Sequence, residues 1–407
     1  VMANVLIRGG VVYSPEPLGI RDILIIGGSV VAIEESINKK QLGLFCKTLK
    51  TIDARGFAVL PGLVDQHIHF NGAGGEGGPQ FRTPPLPLSS FVRSGITSAV
   101  GLLGTDGITR SLMELLAKAK GLEKEGISTW IFSGSYMVPC VTLTGNIISD
   151  LLLIDKVIGL KIAVSDHRST HADIHSLRSY ISQCYHGAIL SGKRGIVMIH
   201  VGSESTGFLP FLDAIMDTDI PVTQLAPTHC NRSNKVLEES VKFGLSGGFV
   251  DVTTSFMYGL NNNVAVNPSE AVKVLLEEGV PLERITLSTD GNGSMPVFNE
   301  SKKLVDIGIG SPESLWDTVT NLITEEELPI EMAIRLCTKN PALHLGLKGK
   351  GFLRYGSSGD AIVVSPETFE IKDVISNGQV MMEDGEVKKF GLFENLTFSK
   401  RNNDLEA

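Results

Sequence analysis

Eight short runs rich in β-branched residues are spaced along the middle of the chain, and most neighbours are separated by a stretch of helical periodicity. The runs are GLVDQHIHF, TSAVGLLG, STWIFSGSY, VIGLKIAVSD, GIVMIHVG, VTQLAPTHC, GFVDVTTS and RITLSTD. Between them, TRSLMELLAKAKGLEKEG and PSEAVKVLLEEG repeat apolar residues every three or four positions, the spacing of an amphipathic helix. Strands that alternate with helices pair in parallel, because a parallel connection needs a crossover long enough to hold a helix. Eight is the strand number of a (β/α)8 TIM barrel, and residues 62–346 suit its typical ~250 residues plus insertions. An open doubly wound sheet is the competing arrangement, but no GxGxxG follows the first strand.

The flanks have another texture. Residues 1–61 carry short strands broken by Gly and Pro (VLIRGGVVY, RDILIIGGSVVAI, TIDARGFAVL). Residues 347–407 return to that style in GDAIVVS and EIKDVISNGQVMMEDGEVKK, with Asp384-Gly385 as a hairpin turn. Together the two ends are predicted to form a small β-sandwich domain beside the barrel.

With 42% hydrophobic residues over 407 positions the chain can bury a full core. The net charge of −9, without a basic run, argues against nucleic acid and anionic membrane surfaces as partners. Cys46, Cys140, Cys184, Cys230 and Cys337 are odd in number and form no CxxC, which suits free thiols in a reducing compartment. VMANVLIRGG lacks the pattern of a secretory signal, and no apolar run approaches the ~20 residues of a membrane span. A cytoplasmic protein is expected.

In a barrel, chemistry collects at the C-terminal ends of the strands. The first strand ends in His67 and His69, which point the same way because side chains alternate. The fifth strand ends at His200, the sixth at His229 and the eighth at Asp290, while Lys161 interrupts the apolar fourth strand. Each has a plainer reading: a packed histidine, a capping aspartate, a snorkelling lysine. Six on one rim favour a metal centre. An ammonium in the barrel interior is costly and should fall in pKa toward neutrality. The free amine could then take up CO2 and become a carbamate, an anionic ligand able to bridge two metal ions. Four imidazoles, a carbamate and a carboxylate would suit two zinc ions.

The HxH pair, the strand-four lysine, the two later histidines and the strand-eight aspartate resemble the amidohydrolase superfamily. The stretches DQHIHFNGAGGEGGP, VGLLGTD, VIGLKIAVSDHRS, PTHCNR and STDGNGS are similar, within it, to the isoaspartyl dipeptidases. The resemblance covers essentially the whole chain and departs from the family pattern in FRTPPLPLSS and FMYGLNNNVAVNPSE, which are expected to be surface or rim loops. It implies that His67 and His69 hold the more buried zinc, His200 and His229 the second, and carboxylated Lys161 bridges them. Asp290 would ligate the first metal and act as general base, then acid, for a bridging hydroxide. Tyr136 would polarise the scissile carbonyl. Glu76, the one charge in the glycine-rich loop, would pair with the substrate ammonium, and Arg168 and Arg232 with its carboxylates. Gly74, Gly75, Thr105 and Ser294 would supply further contacts. The implied activity is hydrolysis of the β-aspartyl bond of isoaspartyl dipeptides by a homo-oligomer, with an octamer as the candidate size. A dihydroorotase- or hydantoinase-like cyclic-amide hydrolase and a non-catalytic barrel scaffold are the alternatives.

Two further groups are read as structural. His167, His171 and His175 stand four residues apart, but His167 should lie in the loop after strand four and the others on the next helix surface. Cys230, adjacent to His229, should point to the opposite face and pack.

Overall fold

The computed structural model describes residues 4–394, without 44, 45, 47, 259–263, 300 and 302. Eight parallel strands stand in sequence order: Leu63–Ile68, Ile96–Gly101, Ser128–Gly134, Val157–Val164, Ile196–Val201, Leu225–Thr228, Val250–Thr253 and Ile285–Ser288. They correspond one to one with the eight sequence runs. Nearly every residue in them is buried, as expected of strands covered on one face by helices and on the other by the barrel interior. The ring is nearly closed. Between the eighth and first strands the contact is an isolated Ile68–Gly291 bridge, with the His69 N–H donating to the Gly291 carbonyl at 2.8 Å.

The helices outside are positioned by ordinary caps. Leu112–Glu125 starts where the Ser111 hydroxyl accepts from the Glu114 N–H, and Pro268–Glu277 starts on the Asn267 side chain. Among the described residues no helix is long and apolar enough to cross a membrane.

Both chain ends build a separate sheet of nine strands. Asn4–Tyr13 lies within it, antiparallel to Pro17–Ile26 and parallel to Leu49–Asp53 and then Ala58–Pro61. Ala58–Pro61 pairs with Ala361–Val364 and so ties the C-terminal strands to the N-terminal ones. Val5, Ile7, Ile23, Ile25, Val363 and Ile375 form its core. Asp384 and Gly385, at φ 51° and 77°, turn the chain between Glu383 and its partner Glu386, so the expected hairpin is present. Residues 1–3 and 395–407 of the two ends lie outside the described residues.

The antiparallel pair Ser294–Phe298 and Leu304–Ile309 follows the eighth strand and was not anticipated. Its Met295, Pro296 and Phe298 reach a cavity at the C-terminal rim of the barrel. FRTPPLPLSS is a rim segment with buried anchors: Thr83 donates to the Asn292 carbonyl and accepts from the Ala73 N–H. In FMYGLNNNVAVNPSE, Phe256 is buried in the cavity wall, and 259–263 lie outside the described residues. His171 departs from expectation. It stands ahead of helix Ile174–Ser191 at φ 48°, and its Nε2 meets Glu204 at 2.9 Å. Asp173 caps that helix, so the helical face begins three residues after His171 and excludes it. Cys230 is packed: its thiol donates to the Pro227 carbonyl, and burial pushes its pKa up to about 12.

Candidate active site

The strand ends bring four imidazoles, Lys161 and Asp290 into one buried cluster. His67 and His69 Nε2 lie 3.3 and 3.0 Å from the same Asp290 oxygen, and one atom from each of the three residues could ligate a common ion. Lys161 Nζ is 3.4 Å from His67 Nε2. The His67 and His229 rings are centred 5.2 Å apart, and His229 and His200 4.7 Å. Ser165, His229 and Asp290, each just past a strand, have φ of 57°, 68° and 53°. This left-handed backbone costs energy for such residues and turns their side chains over the rim.

Partners outside the cluster orient each ring, as second-layer hydrogen bonds do around metal-binding histidines. Thr228 donates to Asp251 at 2.6 Å, so its oxygen accepts from His67 Nδ1–H, leaving the Nε2 lone pair facing Lys161 and Asp290. His229 Nδ1 meets Thr253 at 2.7 Å. His200 Nε2–H donates to Asp166 at 2.7 Å, so Nδ1 carries the lone pair and accepts from the Tyr136 hydroxyl. Burial holds His67, His200 and His229 well below the ordinary histidine pKa. These are neutral rings, and His67 Nε2 and His200 Nδ1 offer lone pairs, the donor chemistry zinc takes. Holding a metal through His200 Nδ1 requires Tyr136 to release that nitrogen.

Lys161 is fully buried and pairs with no carboxylate among the described residues. Burial lowers its pKa to about 7, against the pull of Asp290 and Asp251. A neutral amine is thus accessible where a cation would be unsupported.

Above the cluster, Glu76 is held by three donors. Thr105 and Ser294 hydroxyls donate to it at 3.0 Å each, and Arg168 at 3.1 Å. The glycine loop makes this possible: Gly74 sits at φ 84°, and a Cβ there would lie 2.3 Å from the Phe81 carbonyl oxygen. Gly75 follows at φ 110°. Arg168 also grips Asp166 through two nitrogens, at 3.0 and 2.7 Å. Burial opposes the charge on Asp166, but the bonds from His200 and Arg168 prevail and hold it well below the carboxylate range. Arg232 lies over Phe256 at 5.4 Å with its buried Nε unpartnered. Tyr136, Arg168, His200, Arg232, Asp290 and Ser294 share one cavity.

The sequence reading missed Asp166 and Asp251. Asp166 is a carboxylate directly after strand four and could have been found as a strand-end acid. Asp251 lies within strand seven, where it accepts from Gln66, Thr228, Thr286 and Ser288, and no spacing rule singles it out.

Comparison with known proteins extends this geometry. The amidohydrolase family profile matches residues 58–381. The chain belongs to the amidohydrolase family. This amidohydrolase is 40% identical to the beta-aspartyl dipeptidase of the thermophilic keratin degrader Fervidobacterium islandicum AW-1, solved in complex with beta-Asp-Leu dipeptide. That likeness has a TM-score of 0.87 and covers 97% of this chain and all of the other. A dihydropyrimidinase of Brevibacillus agri, 16% identical with a TM-score of 0.68 over 95% and 97% of the two chains, shares the fold. A dihydroorotase of Streptococcus pyogenes serotype M3 is 32% identical over 120 residues, 28% of this chain and only 26% of its own length. The resemblance to isoaspartyl dipeptidases read from the motifs thus holds across the whole chain.

Proposed function

We propose that this amidohydrolase cleaves the β-aspartyl isopeptide bond of isoaspartyl dipeptides, releasing aspartate and an amino acid. One observation carries the reading: a nearly buried anion, Glu76, pairs with Arg168, which shares a cavity with Arg232, His200 and Asp290. A dipeptide with a free ammonium and two carboxylates offers the complementary charges. The whole-length likeness to a dipeptidase crystallised with β-Asp-Leu supports it.

In this reading His67, His69 and Asp290 would hold one zinc ion, His200 and His229 a second, and a carbamate on Lys161 would bridge them. When bound, the ions polarise the scissile carbonyl and lower the pKa of water. Asp290 accepts the proton of the attacking water and returns it to the leaving amine. Tyr136, whose hydroxyl burial keeps protonated, donates to the developing oxyanion. Glu76 orients the ammonium. Arg232, with an unpartnered Nε, takes a carboxylate; Arg168, already gripping Glu76 and Asp166, uses its remaining N–H groups for the other. Gly74, Gly75, Thr105 and Ser294 shape the pocket around them. Residues 62–346 carry this chemistry and the terminal sheet forms the second domain, in a cytoplasmic homo-oligomer whose five thiols are free.

A cyclic-amide hydrolase would have no ammonium for Glu76 to meet. Hydrolysis of β-Asp-Leu beside α-Asp-Leu and dihydroorotate tests the choice, with turnover expected of the first alone. Turnover of dihydroorotate alone would reassign the chain to cyclic amides. Inertness of the zinc-loaded protein toward all three would leave a scaffold.

A further inference from the structure

At the opposite end of the barrel from the catalytic rim, a cavity of about 530 Å3 opens among the N-terminal ends of the later strands. Arg194 stands just before the fifth strand, Arg284 just before the eighth, and Arg335 ends helix Ile330–Arg335. Among the described residues none of these three forms an ion pair, whereas Arg8, Arg21, Arg55, Arg82 and Arg168 do. Glu283 is the one acid in the cavity lining. The fourth cation, Lys193, is already spent on the Leu151, Ile154 and Val157 carbonyls, at 2.7, 2.8 and 2.8 Å.

The cluster stands out in a chain of net charge −9. Three guanidinium groups around one concavity repel one another, and an anion would relieve that repulsion. One buried donor of the lining, Arg335 Nε, has no hydrogen-bond partner. Buried polar atoms are rarely left so. Arg284 is also held in place: it lies 4.8 Å over Phe249, whose ring stacks on His344 at 3.5 Å and 8°. A guanidinium fixed on an aromatic face loses less freedom on binding. Ile189, Pro221 and Leu343 give the cavity an apolar side, and its volume falls in the range of metabolite sites.

We propose that this cavity is a second ligand site, separate from the catalytic one, for an organic anion with at least two carboxylate or phosphoryl charges and an apolar body. Guanidinium forks pair bidentately with either oxyanion, so the two sources are separated by experiment. Tricarballylate and AMP are titrated calorimetrically into the metal-loaded protein and into an Arg194→Ala/Arg284→Ala variant. Saturable binding of either probe, weakened at least tenfold in the variant while β-Asp-Leu turnover is unchanged, supports the site. Tricarballylate alone assigns the carboxylate class, and AMP alone the phosphoryl class. Arg194→Glu, at an exposed position, gives the same reading if the double variant folds poorly. Failure of both probes to bind, or equal affinity in wild type and variants, overturns the proposal; equal affinity would trace binding to the metal site.

Discussion

Glu76 has three hydrogen-bond donors around it, none of them a residue of the imidazole cluster. Its removal should therefore leave metal binding intact. Glu76→Gln is expected to lower kcat/KM for β-Asp-Leu by about 2–5 kcal/mol of transition-state binding, the loss typical of a desolvated charge partner. N-acetyl-β-Asp-Leu, lacking the ammonium, should be a poor substrate for wild type and lose little more in the variant. Equal losses on the two substrates would assign Glu76 to the loop instead. Asp166 acts one layer deeper, fixing the His200 tautomer. Asp166→Asn should weaken zinc binding roughly 10–100-fold in competition with a chromophoric chelator, and unchanged affinity would remove it from that role. The six cluster residues were legible because each ends or interrupts an apolar strand, where a polar side chain is conspicuous. Asp166 and Asp251 were not, because they act through a neighbouring ring or hydroxyl that only the folded chain brings near.

At the scale of elements, the barrel strands were legible because double-sided burial demands unbroken apolar runs. Ser294–Phe298 and Leu304–Ile309 were hidden by Pro296 and by a polar connection, so no alternation marked them. Nor could local pattern reveal that Asn4–Tyr13 pairs with two different strands along one edge, a choice made by tertiary packing. Helix Lys339–Leu345 carries a testable consequence. Burial lowers the pKa of its His344 to about 3, against a carbonyl hydrogen bond to Thr223. The unfolded chain, with an ordinary histidine near 6.5, binds more protons between these values, so stability rises with pH across that window. The contribution is fully present above about pH 6.5 and is lost as pH falls toward 3. His344→Gln should flatten the denaturant-measured stability curve by about 3 kcal/mol between pH 6.5 and 4. An unchanged slope would show that His344 titrates normally.

For the whole molecule, the weak point of the ring is the seam between the last strand and the first. An isolated bridge at Ile68–Gly291 stands there, where other neighbouring strands mostly share ladders. His67 and His69 lie on one side of that seam and Asp290 on the other, each histidine Nε2 within 3.3 Å of one Asp290 oxygen. An ion held by these three would clamp the seam, and one bridged through Lys161 would tie in the fourth strand across the interior. Metal binding to the folded state alone adds about 2.7 kcal/mol at a hundredfold excess over Kd. For a chain of 407 residues that corresponds to roughly 3 °C in Tm. Stripping zinc by dialysis against a chelator should lower Tm by that order in calorimetry, and readdition should restore it. Lys161→Ala should bind little metal by elemental analysis, should melt near the stripped wild type, and should gain little from added zinc. Short-chain carboxylates, able to stand in for the proposed bridging carbamate, should partly return both metal and activity. If Lys161→Ala instead retains two ions and full turnover, the carbamate has no role. If stripping leaves Tm unchanged, the seam is closed by packing alone.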